Sequence, residues 1–289
     1  MQRASRKLQS AMEYLMTYGW AILAIAIVMV SLYSLGIFNG SNLQPTATPG
    51  SCEVVRTAAQ ISLAGQCNNL IPKYVGMFNG ASSYINTAFV NKEGSWTISA
   101  WINARQFQTT NLNSNHHNII DSDLSGSYGN GFGIEGSPTV LRVIYNNGFL
   151  NYNYNFNTGT WYYIAVVYNT GNGTVTPYVN GVSLGASSVT IGSSLYQQYY
   201  IGRDQPNAVY FNGSIANVQI YNTTTDASSI LAIYRGGIGA APIDTAHLSA
   251  WWPLNGNAND YSGNNWNGDV VGPVVWKANW QSGYTAPSS

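Results

Sequence analysis

Cleaving a glycosidic bond takes two carboxyl groups facing one another across a cleft, one to protonate the leaving group and one to attack or to activate water. Beyond residue 50 the glutamates are Glu53, Glu93 and Glu135, no two of them close in sequence, and no Glu-x-Asp-x-x-Glu run occurs. Asp121 and Asp123 are two apart and would share one face of a strand, but the surrounding NHHNIIDSDLSGSYGNG reads as turn. No catalytic residue and no enzymatic activity is expected. His116 and His117 are adjacent, so an extended chain would send them to opposite sides, which suits an exposed loop better than a metal site. Hard oxygen donors gather at Asn255, Asn257, Asn259 and Asp260. Asn257 and Asp260 are the candidate calcium ligands, although Asn-Gly-Asn also makes turns and a single carboxylate gives weak affinity.

Two further sets of residues depend on which side of a membrane they lie. Cys52 and Cys67 are the only cysteines. In an oxidising exterior they are expected to pair, closing a loop for about 3 kcal/mol on an entropic account; two free buried thiols are the alternative. Asn-x-Ser/Thr sequons stand at Asn39, Asn172, Asn212 and Asn222, and each becomes a glycosylation acceptor only outside the cell.

The elements that decide this are at the N-terminus. Arg3, Arg6 and Lys7 form a short basic leader, and from Tyr14 to Cys52 there is no Asp, Glu, Lys or Arg. The stretch Tyr14–Phe38 is long enough as one helix to cross a hydrocarbon layer of about 30 Å. The basic cluster precedes it and none follows, which places the N-terminus in the cytoplasm and the remainder outside. The apolar run is too long for a secretory signal cut on its far side. Ser10-x-x-Glu13 is a capping box for the helix start.

These residues resemble archaeal type IV pilin precursors with a class III signal peptide. Lys7-Leu8, then Gln9-Ser10-Ala11-Met12-Glu13, then Tyr14–Leu23 carry the likeness, with Leu8 where that family has a small residue. The resemblance implies cleavage between Leu8 and Gln9 by a prepilin peptidase. It also implies that Glu13, then the fifth residue, neutralises the mature N-terminal amine during assembly with other copies into a helical filament. Removing residues 1–8 leaves eight basic against 11 acidic side chains, a net charge of −3. With 8% charged residues, 21 Tyr and 9 Trp, the composition speaks against a nucleic-acid partner and against disorder.

Residues 39–50 (NGSNLQPTATPG) read as a linker, and 51–72 as a disulfide-stapled collar. From Lys73 onward short strands take over. Trp96–Ile102 alternates, Trp161–Tyr168 is a nearly continuous aromatic and β-branched run, and Asn147-Gly148 and Asn180-Gly181 signal hairpins. One soluble helix is expected at Ala227–Tyr234, capped by Thr225 or Asp226 and stopped by Gly236-Gly237. The fold expected is therefore mainly β, an antiparallel β-sandwich behind an N-terminal helix.

The segments YVGMFNGASSYI (74–85), WTISAWI (96–102), TWYYIAVVY (160–168), PYVNGV (177–182) and FNGSIANVQIY (211–221) resemble the LamG-like, concanavalin A-type jelly rolls. LSAWWPLNGNANDYSGNNWNG (248–268) also matches, but relatives carry it ahead of their first strand, which implies circular permutation or the start of a truncated repeat. The resemblance implies adhesion through glycan binding and, in some members, calcium. The domains expected are a leader (1–8), a hydrophobic pilin helix (9–38), a linker and collar (39–72) and a sandwich (73–289). The function expected is a surface filament subunit, anchored in the membrane before assembly and extracellular afterwards. A membrane-anchored lectin that does not polymerise and a surface glycoside hydrolase are the alternatives. Exposed Tyr and Trp would stack on sugar rings, and Tyr128, Tyr145, Tyr152, Tyr154, Tyr196, Tyr199 and Tyr200 are the candidates.

Overall fold

The computed structural model describes residues 16, 18–31, 52–65, 67, 71–90, 94–107, 116–122, 130–135, 138–145, 148–190, 198–204 and 209–288. The chain divides into two compact units, Met1–Ala47 and Thr48–Ser289. In the first, residues 18–31 form helix α1, whose Trp20, Ile22 and Ile25 are exposed. This described stretch rises about 21 Å, less than a hydrocarbon layer, and among the described residues no helix is long and apolar enough to cross a membrane. The rest of the 9–38 run, with Glu13, lies outside the described residues, as do Leu8, Gln9 and Asn39.

The second unit begins with the hairpin β1 (Glu53–Arg56) and β2 (Ile61–Ala64). There follow β3 (Val75–Asn79), β4 (Tyr84–Val90), β5 (Trp96–Ala104), β6 (His116–Asp121), β7 (Gly131–Glu135), β8 (Val140–Tyr145) and β9 (Gly148–Asn153). Next are β10 (Trp161–Asn169), β11 (Thr174–Val179), β12 (Val182–Ser183), β13 (Ser187–Ser188), β14 (Gln198–Ile201), β15 (Arg203–Asp204) and β16 (Val209–Tyr210). The long β17 (Asn212–Tyr221) leads to helix α2 (Ala227–Arg235), then β18 (Leu248–Trp252), β19 (Asp269–Val271) and β20 (Val275–Lys277).

Most of these strands form two antiparallel sheets. One has nine strands in the order β12-β11-β10-β5-β17-β3-β20, with β13 on β11 and β18 on β17. The other has seven, β19-β4-β14-β6-β7-β8-β9. Alternation explains how they face each other. From β5, Trp96, Ile98, Ala100 and Ile102, and from β10, Tyr162, Ile164, Val166 and Tyr168, share one core with Ile85, Ile120, Phe132, Val143 and Ile201 of the seven-stranded sheet. The turn signals hold as well. Asn180 and Gly181 both take positive φ (50° and 77°) between β11 and β12, and Tyr145 pairs with Gly148 across the β8–β9 hairpin.

The nearly continuous apolar character of β10 has a different cause from simple alternation. Its other face, Trp161, Tyr163, Ala165 and Val167, is also buried, in a second core with Trp101, Trp251, Trp280 and Ile230 and Ile233 of α2. The helix is capped by Asp226, which accepts from Ser229 N at 2.9 Å, and Tyr234 stacks on Trp101 at 5.7 Å between centroids. The nine-stranded sheet is therefore covered on both faces.

Two segments are placed by partners far along the chain. Leu248–Trp252 does join the sandwich, but it pairs with the second half of β17, in line with β3, while the free edge of β3 is covered by β20. Its end is set by Pro253, whose carbonyl accepts from Asn217 N at 3.1 Å. Asn217 sits at φ 49° in a β17 irregularity, and its side chain donates to Ala240 O and accepts from Trp251 Nε1, bolting this segment to the sheet. The disulfide-stapled hairpin is the second. Cys52 and Cys67 do pair, but Val54 is buried in the second core and its N–H donates to Tyr261 O at 2.8 Å. The hairpin thus docks on the strands of the second unit.

Candidate functional site

With the nine-stranded sheet covered twice over, the seven-stranded sheet carries the face that strands can present outward. Ile85, Ile120, Phe132, Val143, Tyr199 and Ile201 point into the core, so their sequence neighbours point away from it, save Ile119, which the β6 irregularity between Asn118 and Ile120 also turns inward. The registers then set a row across the sheet: Asn86 opposite Tyr200, Tyr200 opposite Asp121, Asp121 opposite Gly131, Gly131 opposite Ile144, and Ile144 opposite Phe149. A second row runs beside it through Asn118, Gly133, Arg142 and Asn151. Two glycines from β7 thus interrupt these rows between polar and aromatic side chains; the trough they mark is buried at its centre, at Asn118, Asp121, Gly131 and Gly133, and reaches solvent at its ends, where Asn86, Tyr200 and Phe149 lie.

One wall is aromatic. The Arg203 guanidinium lies 4.6 Å from the Tyr84 ring centroid, 5.8 Å from Tyr200 and 5.7 Å from Tyr210. The other end carries Arg142 over Phe149 at 4.0 Å, with Arg142 Nε donating to Asn151 Oδ1 at 3.4 Å. Between them Asn118 Nδ2 donates to Asp121 Oδ2 at 2.5 Å, and Gln198 Nε2 donates to Asn86 Oδ1. Asp121 and Asn118 are fully buried, and among the described residues the Asn118 Oδ1 acceptor has no partner.

The trough is braced from behind. Tyr168 crosses the core from β10, where its Oη accepts from Gly131 N at 3.1 Å and donates to the Gly131 and Ile144 carbonyls at 2.8 and 2.9 Å. Burial pushes this phenol well above its ordinary pKa, so it stays protonated and keeps donating. Rigid backbone, half-exposed tyrosines and amide side chains are the means by which a protein holds a sugar, its ring against an aromatic and its hydroxyls on amides.

Residues 79–231, just over half of the chain, match the Concanavalin A-like lectin/glucanases superfamily. The chain belongs to it. No curated protein matches the sequence. Among solved structures, a Bacteroides ovatus protein to which carbohydrate binding has been ascribed is similar at 18% identity and a TM-score of 0.55, over 78% of this chain and 65% of that one. The native heptameric SAP-like pentraxin from Limulus polyphemus is similar at 14% identity (TM-score 0.47; 60% of this chain, 89% of that one). So is domain 4 of AbnA, a GH43 extracellular arabinanase from Geobacillus stearothermophilus solved with arabinotriose, at 15% identity (TM-score 0.40; 65% and 82%).

Within this concanavalin A-like sandwich the residues singled out from sequence scatter. Asp121, read there as part of a turn, ends β6 and sits in the trough, while Asp123 lies outside the described residues. The calcium candidates are turn-makers. Asp260 accepts from Trp251 N, Ser262 N and Oγ, and Trp266 N, and Asn257 Oδ1 accepts from Asn259 N, so the donor set does not fit an incoming cation. Among the described residues no three of His, Cys, Asp and Glu gather as a metal site. Asn172 and Asn222 are exposed, whereas Asn212 is half-buried in β17. Of the candidate tyrosines Tyr200 alone is in the trough. Tyr152 and Tyr199 are buried, Tyr145 and Tyr154 pack against the core, and Tyr128 and Tyr196 are outside the described residues. Tyr84, Arg203, Tyr210, Asn86, Asn118 and Arg142 were not read from sequence. The alternation in Gln198-Tyr199-Tyr200-Ile201 was the available signal, since it separates an inward from an outward tyrosine.

Proposed function

We propose that this chain is a surface adhesin whose sandwich binds a glycan along the outward trough of the seven-stranded sheet. The observation that carries the reading is the row Asn86–Tyr200–Asp121–Gly131, in which hydrogen-bonding side chains and an aromatic flank a position with no side chain. Membership of a superfamily that includes lectins supports it. One carboxylate pair on this face is spaced too widely for glycoside hydrolysis. Asp269 is opposite Asn86, so Asp121 and Asp269 are three strand spacings apart, about 14 Å, whereas paired glycosidase carboxyls stand roughly 5–10 Å apart. Tyr200→Ala should lower affinity for a glycan selected on an array roughly tenfold, about 1.4 kcal/mol, with an unchanged circular dichroism spectrum. Undiminished binding by that variant would remove the trough from consideration.

The same proposal gives the N-terminal run a role as membrane anchor and then as the packing helix of a filament, after the peptidase has cut between Leu8 and Gln9. Support comes from the basic leader, the uncharged run and the placement of Glu13. Mass spectrometry of the native N-terminus separates this from the membrane-anchored lectin, which would keep residues 1–8.

A further inference from the structure

At a different place in the second unit, a cleft of about 290 Å³ is lined by Arg56, Phe89, Asn222, Ser249, Asn264 and Trp266. Arg56 is held there unusually firmly. Its Nε donates to Ser262 O at 3.0 Å and its Nη2 to Thr245 O and Leu248 O at 3.0 and 2.6 Å, and its stem packs where Gly263, at φ 83°, has no side chain. Among the described residues nothing partners Nη1, and no carboxylate pairs with the guanidinium. The carboxylates of this region are engaged elsewhere, Asp260 by four donors and Asp244 by His247 at 2.7 Å.

The other groups of the cleft are similarly half-used. Asn264 spends Nδ2 on the Leu248 and Ser249 carbonyls, which leaves its Oδ1 for a hydroxyl. Trp266 is fixed by its backbone, whose N–H donates to Asp260 and whose carbonyl accepts from Trp252 Nε1 at 2.8 Å. Its ring stands edge-on to Phe89 at 5.6 Å and is only partly buried. A preset cation without a counter-charge, a free acceptor and an aromatic surface together ask for a ligand with a carboxylate, hydroxyls and an apolar ring face.

We infer that this cleft binds an acidic sugar, its carboxylate on Arg56 Nη1 and its ring on Trp266, independently of the trough. The full chain in detergent, deglycosylated so that nothing attached to Asn222 occupies the rim, would be titrated calorimetrically with methyl glucuronide and with methyl glucoside. The expected result is binding of the glucuronide at least about tenfold tighter than of the glucoside. Arg56→Lys, which keeps the charge but not the fork, should abolish that preference. Arg56 also supports the fold, so Ala246→Trp, which fills the exposed mouth of the cleft without removing a hydrogen bond, is the second variant and should abolish glucuronide binding with an unchanged melting temperature. Equal affinity for the two sugars, or no binding of the glucuronide, overturns the inference. So does loss of the glucuronide signal in Tyr200→Ala while Ala246→Trp binds as the parent does, an outcome that would assign the acidic sugar to the trough.

Discussion

Gly131 carries more of the site than its size suggests. A Cβ there would lie 2.1 Å from Ile120 O and 2.8 Å from Asp121 Cα, both backbone atoms that cannot swing aside. Gly131→Ala should push β7 off β6 and pull it from the Tyr168 hydroxyl, with a loss of about 2 kcal/mol of stability and weakened glycan binding, checked by denaturant melts and calorimetry. Asp226 caps its helix as a carboxylate. Hydrogen bonds from the Ser228 and Ser229 hydroxyls, and then from Ser229 N, hold its carboxyl well below the usual carboxylate range. A depressed folded-state pKa means that the cap's contribution is complete above the unfolded value near 4 and is lost as pH falls through the lower folded value. Asp226→Ala should therefore melt a few degrees below the parent at neutral pH, and the gap should narrow as the pH drops below about 4.

At the scale of elements, the C-terminal strands are integral. β18 extends the nine-stranded sheet, β19 pairs with β4 and β20 with β3, so one short segment stitches both sheets together. Deleting residues 248–289 would uncover Trp101, Trp161 and the β3 edge, and the expected outcome is aggregation or loss of the cooperative melt. A truncated head that stays monomeric with an intact transition would contradict this. Local chemistry made much of the fold legible: Asn-Gly turns, the Asp226 cap and the alternation of β5 each depend on a few adjacent residues. What could not be read is what lies far apart in sequence. The docking of the collar is not legible because only Val54 of its first strand is deeply buried and its anchors, Thr245, Leu248 and Ser262, are about two hundred residues away. The trough was hidden for the same reason, since its row is a product of five strand registers, and Tyr200 looks like Tyr199 until those registers are fixed.

At the scale of the whole molecule, accessibility sorts the sequons. Asn212 is part of a paired strand, its carbonyl accepts from Arg105 N at 2.9 Å and its Cβ crowds Gly80, whereas Asn172 and Asn222 are exposed beyond strand ends. Glycopeptide mapping of the native protein should find sugar at Asn172 and Asn222 and none at Asn212. Assembly tests the other end of the chain: Glu13→Ala should leave the melt of the second unit unchanged and reduce filaments seen by electron microscopy, and normal filament numbers would limit Glu13 to capping a helix. The disulfide has a mechanical meaning for such a molecule. Any tension applied through the N-terminal run enters the second unit at Cys52, and the bond to Cys67, 15 residues on, passes the load directly across the hairpin. While it is oxidised β1 and β2 are out of the force path and stay docked; once it is reduced, the same pull would peel them away and release about 50 Å of slack before the sandwich itself was strained.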